Sequence, residues 1–308
     1  MESQNDLGIY IDRDRATVVC LDSRGKDGGV VGCFSVSVEE DEQANMQTLA
    51  GLIAQGCAER DWRFSDVSVA LDCTMFMQHS VDSEFRDPRQ IAATVKFDTE
   101  EALATDISSV ALAFEIASSD ESGSKLTVFT AQRTILSDVL SALQQYDLDP
   151  VTIEPDVNCL FRFIRQNVSL PDSQEGETLF GVLSGRRGYF INSSKSQRAQ
   201  AVRTFLLGPT QDRQALLARQ TLTTSTLTSD STPIGCLRIF DSIGSVDHQQ
   251  LEKNLGIKTG LIDLVGSAAV QPQDLADCPD QVDFAIAYGA ALAHLPVPGG
   301  EKDITLLI

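Results

Sequence analysis

The chain opens in the same way twice, and no other feature limits its fold as strongly. Three short apolar runs, Leu7–Ile11, Ala16–Leu21 and Val30–Val38, are broken by the charged turn Asp12-Arg13-Asp14-Arg15 and by Gly28-Gly29. Runs of this length with turn residues between them predict a three-strand meander. Roughly 170 residues later, Thr178–Ser184, Gly188–Asn192 and Ala199–Leu206 repeat it. Repetition over so long a period points to duplication of a whole core, and 308 residues are enough for two.

Each meander leads into helices and further strands. Met46–Arg60 has apolar residues at 46, 49, 50, 53, 54 and 57, the helical spacing, and Val67–Leu71 reads as a buried strand. After the second meander, Gln211–Leu222 reads as a helix, Gly235–Phe240 as a strand and Val246–Leu255 as a helix. Thr259–Leu264 is then a strand and Asp283–Leu295 a final helix, while Thr221–Thr232, rich in Ser and Thr, reads as a loop.

Between the two halves lies a different pattern. Asp87-Pro88 starts a helix to about Thr105, with proline where its missing N–H costs nothing. Val110–Ile116 and Leu126–Ala131 are strands joined by the turn Ser118–Ser124. Thr134 is placed to cap a helix to Tyr146, Pro150–Glu154 is a strand, and Asp156 caps the helix Val157–Asn167. The polar stretch 169–178 is the clearest boundary.

Composition narrows the function. Against 24 Lys and Arg stand 44 Asp and Glu, a net charge of −20 and a pI near 4.4. Binding nucleic-acid phosphates needs a basic footprint, and docking on anionic lipid needs Lys/Arg clusters, so both are opposed. Residues 1–150 hold 27 acids and 11 bases, or −16, while residues 151–308 hold 17 and 13, or −4. The N-terminus, Met1-Glu2-Ser3-Gln4-Asn5-Asp6, resembles neither a secretory signal nor a lipidation site. No run approaches the roughly 20 apolar residues of a membrane span.

The seven cysteines (20, 33, 57, 73, 159, 236, 278) include no C-x-x-C pair, and five sit in apolar segments. They read as buried thiols of a reducing cytosol. His79, His248 and His294 are too scattered to suggest a histidine metal site. Gly-x-Ser-x-Gly, His-Glu-x-x-His, the Rossmann glycine run and Gly-x-x-x-x-Gly-Lys-Ser/Thr are all missing.

In element order the chain resembles the cytoplasmic actin-like proteins of type IV pilus and type II secretion machines. These are the PilM family and the cytoplasmic part of GspL, relatives of the division protein FtsA. The resemblance spans about residues 6–295. It rests on "DPRQIAATVKFDTEEALATDISSVALAFEI", on "TVFTAQRTILSDVLSALQQYDLDPVTIEPDVNCLFRFI", and on "LRIFDSIGSVDHQQLEKNLGIKTGLIDL" followed by "DFAIAYGAALAHL". It implies an α/β fold: a duplicated actin-like (ribonuclease H-like) ATPase fold with a small inserted α+β module. The expected divisions are a first core at 1–74 and 157–170, the module at 75–156, a second core at 171–295, and a linker and tail at 296–308.

Actin-like ATPases bring glycine turns up to the nucleotide phosphates, because only backbone without a Cβ approaches so closely, and place an Asp beside the first turn for Mg²⁺. The PilM pattern there resembles Gly-Ile-Asp-Ile-Gly-Ser, and this chain reads Gly8-Ile9-Tyr10-Ile11-Asp12-Arg13. Tyr10 replaces the Asp, and Asp12 replaces the Gly. The second hairpin, Asp-Ile-Gly-Ala in the family, reads Val182-Leu183-Ser184-Gly185, followed by Arg186 and Arg187. The adenosine-side turn is Asp241-Ser242-Ile243-Gly244-Ser245, with one glycine left. A residual cleft of Gly8, Asp12, Gly185 and Gly244 with no catalytic residue is the expectation: a pseudo-ATPase without ATP or Mg²⁺ as resident cofactors. The enzyme-class alternative is an active actin-like ATPase in the same machinery.

The resemblance implies a scaffold at the inner membrane, held there through a partner or through a downstream span. Its partners would be the cytosolic tail of a bitopic inner-membrane assembly protein and a secretion or assembly ATPase, with homodimerisation open to it. In such proteins an Ile-Asn-Leu-Leu-Pro-like segment of the partner tail lies extended in a groove beside the inserted module. Ile304, Leu306 and Leu307 near this chain's own C-terminus resemble that segment, after the linker Pro296-Val297-Pro298-Gly299-Gly300. The basic stretch 186–219, with seven Lys/Arg and one acid, reads as solvated surface or as a face for an acidic partner.

Overall fold

The computed structural model describes residues 5–22, 29–38, 45–104, 106–168, 176–193, 199–227, 233–267 and 275–294. The chain divides into two units: residues 1–163, 270–279 and 283–308 form the first, and residues 164–269 and 280–282 the second.

In the first unit, β1 (Asn5–Ile11), β2 (Arg15–Asp22) and β3 (Gly29–Ser37) make the expected antiparallel meander. Helix α1 (Met46–Glu59) follows, its start fixed by the Asn45 side chain, which accepts the Thr48 N–H at 2.8 Å. Strand β4 (Asp66–Leu71) pairs parallel to β1. Both β1 and β4 are buried almost end to end, the mark of strands covered on both faces.

The inserted element has its own sheet. Strands β5 (Met77–Ser83), β6 (Val110–Asp120) and β7 (Gly123–Gln132) pair antiparallel in the order β5-β7-β6, with α2 (Pro88–Leu103) between β5 and β6 in the chain. Asp87 caps α2 and Ala104 ends it in the left-handed region at φ 48°. Ile91 and Val95 of α2 pack on Val81, Leu126 and Val128.

Helix α3 (Arg133–Gln144), strand β8 (Pro150–Pro155) and helix α4 (Asp156–Asn167) come next. The sequence boundaries 75–156 enclose α3 and β8, yet β8 pairs parallel to β4, completing the order β3-β2-β1-β4-β8, and α3 packs on α1. A strand's apolar pattern shows that it is buried but not which neighbour it joins. Gln132 precedes α3 with no side-chain cap, so Thr134 lies inside that helix.

The second unit repeats the plan with β9 (Glu177–Leu183), β10 (Arg187–Ser193), β11 (Ala199–Leu206), α5 (Arg213–Leu227), β12 (Ile234–Asp241), α6 (His248–Leu255), β13 (Lys258–Leu261) and α7 (Leu264–Ser267). Its strand order, β11-β10-β9-β12-β13, matches the first sheet position for position, with the same parallel and antiparallel senses. Leu179, Phe190, Leu217, Leu237, Ile239 and Leu251 form its core. The sequence places Thr221 onward in a loop, but α5 continues to Leu227.

The last helix, α8 (Gln281–Ala291), falls within 171–295, the span the sequence gives the second core. From Asp283 onward it belongs to the first unit. It is apolar nearly all round and buried accordingly. Phe284 and Tyr288 meet Phe163 of α4 edge-on, with ring centres 6.4 and 5.2 Å apart. Among the described residues no helix is long and apolar enough to cross a membrane.

Candidate functional site

The residues expected near nucleotide occupy different positions in the two units. Gly8 lies in the interior of β1, where it serves packing. A Cβ there would run into the Ala287 carbonyl oxygen of α8 and come within 2.9 Å of the Ala291 Cβ. Gly289 plays the same part on α8, where a Cβ would meet the Cys159 carbonyl of α4. These glycines let backbone approach backbone.

Asp12 sits in the β1–β2 turn and is 3% exposed. Its N–H donates to the Arg15 carbonyl at 2.9 Å, and its carboxylate accepts the Arg13 N–H at 2.7 Å. The backbone bond closes the turn, and the Asp12 carboxylate is buried against it. Beside it, the Tyr10 hydroxyl donates to Asp72 Oδ2 at 2.7 Å, both side chains being buried. Asp72 follows β4, and its other oxygen accepts the Thr74 N–H at 2.9 Å and the Thr74 hydroxyl at 2.6 Å. Burial, then the Asp72, Asp283 and Asp156 carboxylates, push the Tyr10 phenol well above its ordinary pKa, so it remains a donor at neutral pH.

Asp72, Cys73 and Asp156 are close enough to be considered as metal ligands, their donor atoms lying within 4.8 Å of one another. Both Asp72 oxygens already accept hydrogen bonds, Oδ2 from the Tyr10 hydroxyl and Oδ1 from Thr74, while Asp156 Oδ2 accepts the Cys73 backbone N–H at 2.9 Å.

In the second unit, the Gly185 and Gly244 turns are drawn together by a residue the sequence does not single out. Arg213, at the start of α5, places Nη1 2.6 Å from Asp241 Oδ1 and Nη2 3.5 Å from the Gly185 carbonyl oxygen. This ion pair is largely buried. Asp241 also accepts the Ser245 N–H at 2.7 Å and the Ser245 hydroxyl at 2.9 Å. Burial pushes the Asp241 carboxyl up, but the bonds from Ser245, Arg213 and Ile243 outweigh it and hold the carboxyl below the usual range.

The two glycines differ in need. Gly244 adopts φ +63°, which disfavours other residues, whereas nothing lies closer than 3.8 Å to a Cβ built on Gly185. The Ser184 hydroxyl folds this second turn, accepting the Arg186 N–H at 3.2 Å and the Arg187 N–H at 2.8 Å.

Among the described residues of the basic stretch 186–219, three arginines are engaged within the fold. Arg187 and Arg213 are buried, and Arg203 bonds the Gln220 carbonyl and the Thr224 hydroxyl. Ile304, Leu306 and Leu307 lie outside the described residues.

No protein-family model matches the chain, and no curated protein sequence matches it. Solved structures do. The PilM–PilN type IV pilus biogenesis complex matches with a TM-score of 0.69 at 16% identity, over 94% of this chain and 98% of that one. The cytoplasmic domain of EpsL, an inner-membrane component of the type II secretion system of Vibrio cholerae, matches at 0.56 and 13%, over 88% and 94%. A Bacteroides thetaiotaomicron protein with an actin-like ATPase fold and unknown function matches at 0.51 and 9%, over 90% and 96%. With the twice-repeated strand order, these likenesses establish that the chain has the actin-like ATPase fold, with a small antiparallel module inserted in its first half.

Proposed function

We propose that the chain is a non-catalytic actin-like scaffold of a type IV pilus or type II secretion inner-membrane assembly platform. In this reading it works by holding the cytosolic tail of a membrane partner, and it sits at the inner membrane through that partner. The near end-to-end likeness to PilM and to the EpsL cytoplasmic domain supports the placement. The observation that carries the non-catalytic part is the Tyr10–Asp72 hydrogen bond. Where the actin-like pattern puts a carboxylate for Mg²⁺, this chain puts a phenol, and it commits that phenol to a buried carboxylate of its own. Asp12 adds negative charge in the turn that a triphosphate would approach, which opposes binding.

In the second unit, Arg213 joins the two remaining turns through Asp241, so its charge is already met by a protein carboxylate. Without a phosphate cradle, the fold is left with its surfaces, and recognition of an extended peptide is work such a surface can do. The partner side is tested by titrating the full chain with a peptide carrying an Ile-Asn-Leu-Leu-Pro-like segment, followed by fluorescence anisotropy. Saturable binding that a scrambled peptide does not reproduce is expected. Equal signals from both peptides would overturn the scaffold reading. In the same reading Ile304, Leu306 and Leu307 dock as an extended strand in that groove, so deleting residues 301–308 changes the oligomeric state or the melting temperature.

A further inference from the structure

Two cysteines that the sequence scatters 245 positions apart, Cys33 and Cys278, meet in the first unit. Cys33 lies on β3, an edge strand of the first sheet, and Cys278 on the segment before α8. That segment is fastened to the edge: the Ser35 N–H donates to the Asp277 carbonyl at 2.8 Å, and the Ser35 hydroxyl donates to Cys278 Sγ at 3.6 Å. Residues 33 and 35 alternate along one strand and share a face, so Cys278 lies over both. The two thiols are hydrogen-bonded to each other, and both are buried. That bond, burial and the Asp283 carboxylate push the Cys278 thiol up, so Cys278 keeps its proton.

Ser35 also lines a hollow of about 440 Å³, bounded by Phe34, Leu52, Gly56, Arg60 and Asp277. Arg60 spans its wall, with its guanidinium 4.5 Å above the Phe34 ring and 2.6 Å from Asp277. The hollow thus reaches Ser35 and Asp277, the neighbours of the pair, while the two thiols themselves are buried.

We propose that Cys33 and Cys278 are a redox-modification site, at which a peroxide converts the pair to a disulfide and staples residues 275–279 to the edge of the first sheet. The Cys33 thiolate attacks one peroxide oxygen and breaks the O–O bond, leaving a sulfenic acid on Cys33 and releasing hydroxide, which takes up a proton to become water. The Cys278 sulfur then attacks Cys33, the S–O bond breaks, and the departing hydroxide leaves as water with the Cys278 proton. Two thiols and one hydrogen peroxide give one disulfide and two waters, the sulfurs supplying both electrons.

The test uses the full chain, treated with hydrogen peroxide, digested without reductant and read by mass spectrometry. The expected product is a linked peptide pair containing Cys33 and Cys278, lighter by two hydrogens and separated again by dithiothreitol. The oxidised chain should also melt several degrees higher, because the new bond closes a very long loop. In Cys278→Ser the reaction should stop at the Cys33 sulfenic acid, trapped by dimedone, and in Cys33→Ser Cys278 should stay reduced. If peroxide oxidises Cys73, the least buried thiol, while Cys33 and Cys278 both remain thiols in the unmodified chain, the proposal is overturned. Linkage of Cys33 to Cys20 or Cys57 in place of Cys278 would overturn it equally.

Discussion

Tyr10 shows what one residue can carry. Its hydroxyl donates to a buried carboxylate 62 positions away, a type of bond that contributes more than a neutral one. Tyr10→Phe should lower stability by about 2 kcal/mol, read as a lower urea midpoint with an unchanged slope; an unmoved midpoint would contradict the bond's role. The folded phenol titrates above the unfolded one. Stability should therefore hold below about pH 10 and fall as pH rises through the folded value, and Tyr10→Phe should flatten that fall. Arg213→Met removes the partner of a largely buried carboxylate and should cost roughly 3 kcal/mol. Because Asp241 titrates low when folded, the deficit should be complete above about pH 4 and narrow in acid. Denaturant melts at several pH values check both the size and the direction. The sequence shows that Tyr10 stands in an unusual place but not that Asp72 receives it. Arg213 looks like any member of a basic stretch, because an ion pair across 28 positions leaves no local pattern.

At the scale of elements, glycine separates packing from turn geometry. Gly8→Ala pushes a methyl group into the α8 backbone, where neither strand nor helix can yield, and should cost about 3 kcal/mol or more. Gly185→Ala has open space and an ordinary φ, and should change stability by no more than about 0.5 kcal/mol. Parallel urea denaturation of the two variants tests the contrast, and equal losses would contradict it. Most elements are legible in the sequence because their apolar periods are strong. Strand β5 is not, since Met77–Ser83 buries only Val81 and Ser83 and has no apolar run to mark it. The end of α5 is hidden for another reason. Its Thr and Ser residues look like loop, but Thr221, Thr223, Thr224 and Ser225 turn their hydroxyls back onto carbonyls four residues earlier, which satisfies them inside a helix.

For the whole molecule, the duplicated meander is the sequence feature that foretells the architecture, and the two sheets repeat one strand order in full. The joining of β8 to the first sheet and the burial of α8 in the first unit are long-range choices that local periodicity does not encode. The charge also acts at this scale. With −16 in residues 1–150, raising ionic strength from about 0.01 M to 0.15 M shortens the screening length from about 30 Å to 8 Å and should raise the thermal midpoint. A midpoint that falls with salt would instead mean that favourable ion pairs dominate. The central claim is that this actin-like fold has exchanged its phosphate turns for internal bonds, and isothermal titration of the full chain with Mg-ATP tests it most directly. The account predicts no heat of binding and no released phosphate. Binding in the micromolar range with measurable turnover would contradict it.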